Sequence, residues 1–417
     1  MGGGKMSKLA INGGVPVRKE PFPPRIMFGE EEKQAILEVV EKTMNGNQAL
    51  DRYGGIHVDA YEKEFAEYFG TSYATAVSSG TAAVHSALAA LQLEPGSEVI
   101  TTPITDPGTV APILSQNLIP VFADVNYHTL NITAQNIKER ITDKTGAIIV
   151  VHLAGQPCNM DPIMELAREN NLVVIEDCAQ AHGSKYKRKY VGTMGDIGVF
   201  SLMNGKHMTS GGQGGMVITN SEEFYWNAKR FADRGKPFNS DADTNLFMGL
   251  NYRMTELEAC IGRVQLKKLN KIIEKRQWIV DKLREGVSKL KSVKLWKIIE
   301  NVDPNYWFCF LHYDRKKTSI NKETFAKAVQ AEGIPVDVRY VKVMYDGIWI
   351  ANRNTYGKSG CPWNCPVYGK KIDYTHCCPH AEEAIEDHMT LYIHEGWTDK
   401  EIEDTITALE KVGRYLK

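Results

Sequence analysis

Several features are scarce in this 417-residue chain, and each scarcity removes a class of protein. No apolar run approaches the ~20 residues that span a bilayer, and no signal-peptide pattern is read at its start. Charge of one sign is lacking: 50 Lys and Arg face 51 Asp and Glu, a formal balance of −1. No basic stripe therefore invites nucleic acid or an anionic membrane. Eight cysteines in this length are too few for a disulfide scaffold, which favours a reducing cytoplasm. Repeats and low-complexity linkers are missing. So are the glycine signatures of nucleotide sites. No GxGxxG opens the first βα unit, and Gly205-Lys206 is followed by His207, with Phe200 where a Walker A loop needs glycine.

What is present is an ordinary globular composition, 43% hydrophobic and 24% charged, in a chain long enough for two packed domains. Val- and Ile-rich runs at 73–79, 98–103, 119–125, 147–153, 171–177, 196–202 and 214–220 are apolar on both faces, as strands between helix layers must be. Helical patterns separate them, beginning with 30–44, where Ala35, Ile36, Val39 and Val40 share one side. The alternation predicts an α/β fold with a seven-stranded, mostly parallel sheet. A long helix over 253–290 follows, then strands near 293–299, 305–313 and 334–341. A last helix opens at Thr398 with Glu401 three residues on, a capping-box spacing. The expected division is a leader or arm over 1–16, a large domain over 17–270 and a smaller α+β domain over 271–417.

Three short stretches carry chemistry. "NLVVIEDCAQAHG" is an apolar strand ending in Glu176-Asp177, at the edge where parallel sheets bind ligands. "SSGTAAVHSALAALQ" is a small-residue turn entering a helix, whose amides and Thr81 hydroxyl suit a phosphate. Read alone, each is equally an ordinary helix cap. "SLMNGKHMTSGGQGGM" places Lys206 in a run of small residues that cannot build a core, 29 residues after Asp177. A phosphate cradle, a strand-end carboxylate and a lysine in a flexible loop are what pyridoxal phosphate requires. The lysine forms a Schiff base after desolvation has lowered its pKa, and the carboxylate keeps the pyridine nitrogen protonated.

With these stretches in place the chain resembles the DegT/DnrJ/EryC1/StrS family of sugar and cyclitol aminotransferases. The resemblance runs from about residue 8 to the C-terminus. It rests on "SSGTAAV", "PGSEVITTP", "PVFADV", "IIVVHLAGQPCNMD", "VIEDCAQAHGS", "VGTMGDIGVFS", "GKHMTSGGQGG" and "GLNYRMTELEACIGRVQL" in order. It implies the aspartate-aminotransferase-like (type I) fold of pyridoxal phosphate enzymes. Lys206 is then the Schiff-base lysine and proton shuttle, and Asp177 the partner of the pyridine nitrogen. Gln180 lies against the ring or its phenolic oxygen, and Gly80, Thr81 and Ser201 bind the phosphate. Asn251, with Arg253, reaches the phosphate of a neighbouring subunit, which makes a homodimer with active sites at the interface. The implied reaction moves an amino group from L-glutamate or L-glutamine to a keto-sugar or ketocyclitol, in amino-sugar or aminocyclitol biosynthesis.

The sequence departs from the family pattern at two places. Asp106 stands where an aromatic residue usually stacks on the ring, and is expected to border the cofactor. "TSGGQGG" carries one residue more than the usual loop, with Gln213 in place of Glu. Acceptor contacts are expected from His182, Tyr340, Trp363 and His380, with Tyr368 beside them, and His394 is expected to be structural. Cys361, Cys365, His376, Cys377, Cys378 and His380 lack the tight paired spacing of zinc sites, so 361–380 is read as a substrate-side loop and no metal is expected. Relatives that deoxygenate keto-sugars replace the Schiff-base lysine with histidine. Lys206 argues against that branch, although His207 stands next to it. A catalytically silent regulator is the other alternative; it would lack Lys206 or Asp177, and both are present.

Overall fold

The computed structural model describes residues 8–53, 55–315, 318 and 320–415. The first seven residues of the expected leader lie outside that range. The large sheet is built from β1 (Tyr73–Val77), β2 (Glu98–Thr101), β3 (Ile119–Phe122), β4 (Thr145–Val151), β5 (Val173–Asp177), β8 (Ile197–Ser201) and β9 (Gly215–Thr219). Between β5 and β8 lie two short strands, β6 (Lys185–Tyr186) and β7 (Lys189–Tyr190). The sheet order is β1-β9-β8-β5-β4-β2-β3, parallel except for β9, which runs antiparallel to both neighbours. Six of the seven strands fall inside their expected windows, and β4 begins two residues before its own.

Alternation along the strands divides the core. Ala147, Ile149 and Val151 of β4 face one layer with Ile175 of β5, whereas Ile148 and Val150 face the other with Val174. The same two-residue period sends the neighbours Glu176 and Asp177 to opposite faces of the sheet. The helices are α1 (Glu30–Met44), α2 (His57–Phe69), α3 (Gly80–Ala90), α4 (Pro107–Ser115), α5 (Ala134–Lys138), α6 (Met160–Glu169), α7 (Glu222–Phe231) and α8 (Glu256–Ser288). On α1, Val39 is buried with Ala35 and Ile36 against Cys260 and Ile261, but Val40 turns outward and is 37% exposed. Thr255 and Glu258 cap α8 reciprocally, each bonding the other's backbone N–H. This helix packs against α1 and α2 and continues to the small domain, so residue 270 falls inside it.

The small domain has a four-stranded antiparallel sheet, β10-β12-β14-β13, from β10 (Val293–Leu295), β12 (Cys309–Tyr313), β13 (Val336–Asp337) and β14 (His388–Leu391). A short β11 (Val302–Asp303) joins β6 and β7 instead. Its helices are α9 (Lys322–Ala331), α10 (Ile348–Ala351), α11 (Pro379–Asp387) and α12 (Asp399–Tyr415). At the start of α12, Glu401 Oε2 accepts from both the main-chain N and the hydroxyl of Thr398. The stretch expected as an arm and the start of the large domain is tied to the small domain. Ala10 N and Val17 N donate to Glu332, Arg18 pairs with Glu401 and Asp404, and Phe22 packs on Trp397. No helix among the described residues is long and apolar enough to cross a membrane.

Candidate functional site

The C-terminal ends of β4, β5 and β8 and the N-termini of α3 and α4 enclose a cavity of about 160 Å³. Its wall includes Gly80, Thr81, Asp106, Thr109, Asp177, Gln180, Ser201 and Lys206. The α3 entry is tight because Ser79 caps the helix, its Oγ accepting from Ala82 N, and Gly80 lies directly on β8. A Cβ at Gly80 would stand 2.6 Å from Ser201 Cβ, so only glycine brings the first turn of α3 this close to Ser201. Ser79 takes the N–H groups of Ala82 and Ala83, and Gly80 and Thr81, at the positive end of the helix dipole, line the cavity.

Asp177 ends β5 inside the cavity and is 4% exposed. Its Oδ2 accepts from Thr109 Oγ1 at 2.8 Å and its Oδ1 from Ala179 N at 3.0 Å. Thr105 Oγ1, just ahead of α4, lies 2.7 Å from Thr109 Oγ1 and extends the chain. Burial pushes the Asp177 carboxyl above its usual range, against the lowering effect of these donors and of the Lys206 charge. Two hydrogen bonds leave this buried anion short of partners, which suits a site awaiting a cation.

Lys206 is 6% exposed and lies in the loop after β8, its N–H bonded to Met203 O. Its Nζ has no hydrogen bond or ion pair among the described residues and rests 3.6 Å from the centre of the Trp307 ring. Burial lowers its pKa to about 8, against the pull of Asp177 and Asp106, so a useful fraction is free amine near neutrality. Gln180 is fixed in the wall by two bonds. Its Oε1 accepts from Ala154 N at 2.7 Å, and its Nε2 donates to Tyr340 OH at 3.0 Å.

The remaining expected residues divide. Tyr340 joins the site through Gln180. Asp106 borders the cavity, but its carboxylate caps α4 by accepting from Gly108 N at 2.8 Å; the Asp-Pro pair is a helix start. His182 is displaced from the expected substrate wall. It is fully buried behind β8, with Nε2 bonded to Ser201 O, and burial with the nearby Lys206 charge lowers its pKa to about 3. His207 is likewise buried, its Nε2 on Asn305 O, and does not line the cavity. Asn251 and Arg253 lie outside this chain's cavity: Asn251 bridges to Asp233, and Arg253 pairs with Asp233 and Asp51.

The segment 361–380, expected on the substrate side, covers the sheet instead. It runs along β3, the strand at the sheet's end, and thereby shields an otherwise open edge. Tyr368 OH donates to Glu98 Oε1 at 2.9 Å and Tyr374 OH to Pro120 O at 2.5 Å. Trp363 is a core residue whose indole N–H donates to Tyr374 OH, and His380 opens α11 beside Asp124. Neither reaches the cavity. Cys361 and Cys365 are joined as a disulfide, and six cysteines are free. His376 pairs with Glu382. His394 lines a second cavity with Arg25 and Arg276, beyond Trp307. Among the described residues His152, Glu176 and Cys178 are close enough to share an ion, but His152 already bonds Cys158 N and Glu176.

Sequence reasoning missed Thr109 and Trp307. A Thr105/Thr109 pair at helical i,i+4 spacing after a strand was a readable signal for the first. Trp307 arrives from the small domain, 101 residues after Lys206, with no local mark.

Comparison with known proteins gives a consistent result. The model of the DegT/DnrJ/EryC1/StrS aminotransferase family matches residues 30–410. GDP-perosamine synthase of Escherichia coli O157:H7 is 39% identical over 66% of this chain and 73% of its own. A provisionally named L-glutamine:3-amino-2,3-dideoxy-scyllo-inosose aminotransferase of Micromonospora echinospora is 32% identical over 97% of each chain. The crystal structure of the aminotransferase from Psychrobacter cryohalolentis superposes with a TM-score of 0.84 at 31% identity, covering 95% of this chain and 100% of that one.

Proposed function

The chain belongs to the DegT/DnrJ/EryC1/StrS aminotransferase family, and from that premise we propose that it uses pyridoxal phosphate to move an amino group onto a keto-sugar or ketocyclitol. L-Glutamate or L-glutamine is the donor. One observation carries the reading: a buried lysine with no hydrogen bond among the described residues and a buried carboxylate with two line the same small cavity at the N-terminus of α3.

The residues fit the cofactor. Glycine at position 80 lets the first turn of α3 close on Ser201, so that Thr81 and Ser201 bring their hydroxyls to one wall of the cavity, where a phosphate would sit. Lys206 would hold the aldehyde carbon and Asp177 the ring nitrogen. When bound, the cofactor supplies an electron sink that makes a Cα–H bond of the amino substrate acidic. The protein's own residues do the rest. Asp177, held by Thr109 and Ala179 N, keeps a proton on the ring nitrogen. Lys206 Nζ, with a pKa of about 8, takes and returns protons near neutral pH. Gln180, fixed by Ala154 and Tyr340, would lie against the ring.

Asn251 of a second subunit, with Arg253, completes the phosphate site in the proposed homodimer, which works in the cytoplasm. The substrate side is assigned to Tyr340, which meets the site through Gln180. Deoxygenation is disfavoured because Lys206 is present and His207 faces away from the cavity.

The test is optical. The purified protein with added pyridoxal phosphate is expected to absorb in the visible, and this band should bleach with L-glutamate or L-glutamine. A panel of keto-sugars and inososes should then restore it for the true acceptor. No visible band in the wild type, or the same band in Lys206→Ala, overturns the proposal.

A further inference from the structure

Lys206 has a neighbour that the family reading leaves unused. We propose that the face of Trp307 is the docking place of the Lys206 amine whenever the lysine is not covalently engaged. This rests on Lys206 being the cofactor anchor.

Trp307 is fixed for such a role at two points. Its indole Nε1 donates to Gly205 O at 2.8 Å, on the residue just before the lysine, and its main-chain N donates to Ala154 O at 3.1 Å. The ring also stands edge-on to Tyr340 at 6.1 Å and 82°. The indole is therefore tied both to the lysine loop and to the wall that carries Gln180. Lys206 Nζ lies over it at 3.6 Å, a cation–π distance.

The choice of an aromatic face has a chemical reason. Two carboxylates influence this amine, Asp177 and Asp106. Asp177 is bonded to Thr109 and Ala179, and Asp106 to Gly108. An ammonium that paired with Asp177 would occupy the place of the ring nitrogen and would have to be displaced in each cycle. An indole face attracts the cation through its quadrupole but offers no lone pair to trap it. The lysine can thus leave and return without competing for Asp177. Trp307 touches a reacting atom and is by that measure a catalytic residue.

The test uses the full-length, cofactor-free protein. Its lysines are reductively dimethylated with ¹³C-formaldehyde and titrated by NMR, and the Lys206 resonance is identified by its absence in Lys206→Ala. The wild-type midpoint is expected near 8. Trp307→Leu, which keeps the site apolar but removes the quadrupole, should lower it by about 0.5–1 pH unit. Trp307→Phe should fall between the two. Unlabelled protein should regain its visible band with pyridoxal phosphate more slowly in Trp307→Leu than in Trp307→Phe. A folded Trp307→Leu protein whose Lys206 titrates where the wild type does overturns the proposal. If that variant does not fold, replacing tryptophan by 5-fluorotryptophan weakens the face at constant shape. A lowered midpoint then supports the proposal and an unmoved one overturns it. A wild type that never colours with pyridoxal phosphate sinks the cofactor reading instead, whereas normal colour with an unmoved titration sinks only the role of Trp307.

Discussion

Glu176 and Asp177 are neighbours on one strand, equally sequestered from water, and they live in opposite environments. Glu176 faces the layer of Val174. His152 Nε2 lies 2.9 Å from its Oε2, and Met194 N and Gly195 N each donate to Oε1 at 2.7 Å. These contacts overcome the cost of burial and hold its carboxyl below the ordinary range. Asp177 faces the cavity with two donors, and burial wins, raising its carboxyl above the ordinary range. A fully bonded buried anion belongs to the fold. An under-bonded one, lying in a cavity with a free amine, is held ready for a ligand.

Substitutions should separate the two roles, and the largest effects fall on the cavity side. Lys206→Ala should lower turnover by about 10⁴-fold or more, the upper end for a lost proton shuttle alone. It should leave the cofactor-free thermal midpoint near wild type, because Nζ makes no hydrogen bond that folding relies on. Asp177→Asn should cost about 10²–10³-fold in kcat, as for loss of one preorganised electrostatic group. Its cofactor-free form should be at least as stable as wild type at neutral pH, since a desolvated charge is removed. Glu176→Gln should do the reverse. It should lose about 1–3 kcal/mol of stability through the contact with His152 and keep near-normal turnover per folded molecule. Steady-state kinetics beside denaturant melts checks all three. An Asp177→Asn protein that is less stable than Glu176→Gln breaks the comparison.

Acid should separate them again. A depressed carboxyl such as Glu176 contributes stability above its unfolded value, and this is lost as pH falls through the folded value. A raised carboxyl such as Asp177 runs the other way. The folded protein holds that proton more tightly, so the cofactor-free protein loses stability as pH rises from the unfolded value through the folded one. Melting curves from pH 7 downward should therefore show Glu176→Gln with a shallower acid loss than wild type. Asp177→Asn should show a steeper one. Parallel curves for the two variants contradict the assignment of opposite shifts.

The same contrast governs what could be read from the sequence. The seven large-domain strands were legible because burial on both faces demands unbroken Val and Ile runs. Strand β14 was missed although it is central in its sheet, because "HMTL" carries a His and a Thr in four residues. Gly80, Thr81, Asp177, Gln180, Ser201 and Lys206 stand out in the sequence because strand ends and glycine-rich turns mark themselves locally, and the structure gathers them around one cavity. Asp106 does border the cavity, and "TDPGT" spells the helix cap that its carboxylate also makes. An aromatic, Cys- and His-rich segment looks functional in sequence, yet Trp363 and His380 do not line the cavity. Its partners, Glu98, Pro120 and Asp124, are more than 240 residues away and leave no trace in its own pattern.

Thr109 and Tyr374 offer the smaller effects. Thr109→Val removes the hydroxyl that Asp177 Oδ2 accepts from, a bond to a charged group worth about 1.5–3 kcal/mol. Activity should fall roughly 10–100-fold by that measure, and Thr109→Ser, which keeps the hydroxyl, should recover most of it. The acid limb of the pH–rate profile should move to higher pH in the valine variant, because losing a donor raises the Asp177 carboxyl further. Tyr374→Phe acts on the other kind of region. Its hydroxyl accepts from the Trp363 indole and donates to Pro120 O, so the variant leaves a buried indole N–H and an edge-strand carbonyl short of partners. The cost should be about 1–2 kcal/mol, read as a lower melting midpoint with KM for both substrates unchanged. A rise in the acceptor KM with an unchanged melting midpoint would return 361–380 to the substrate side.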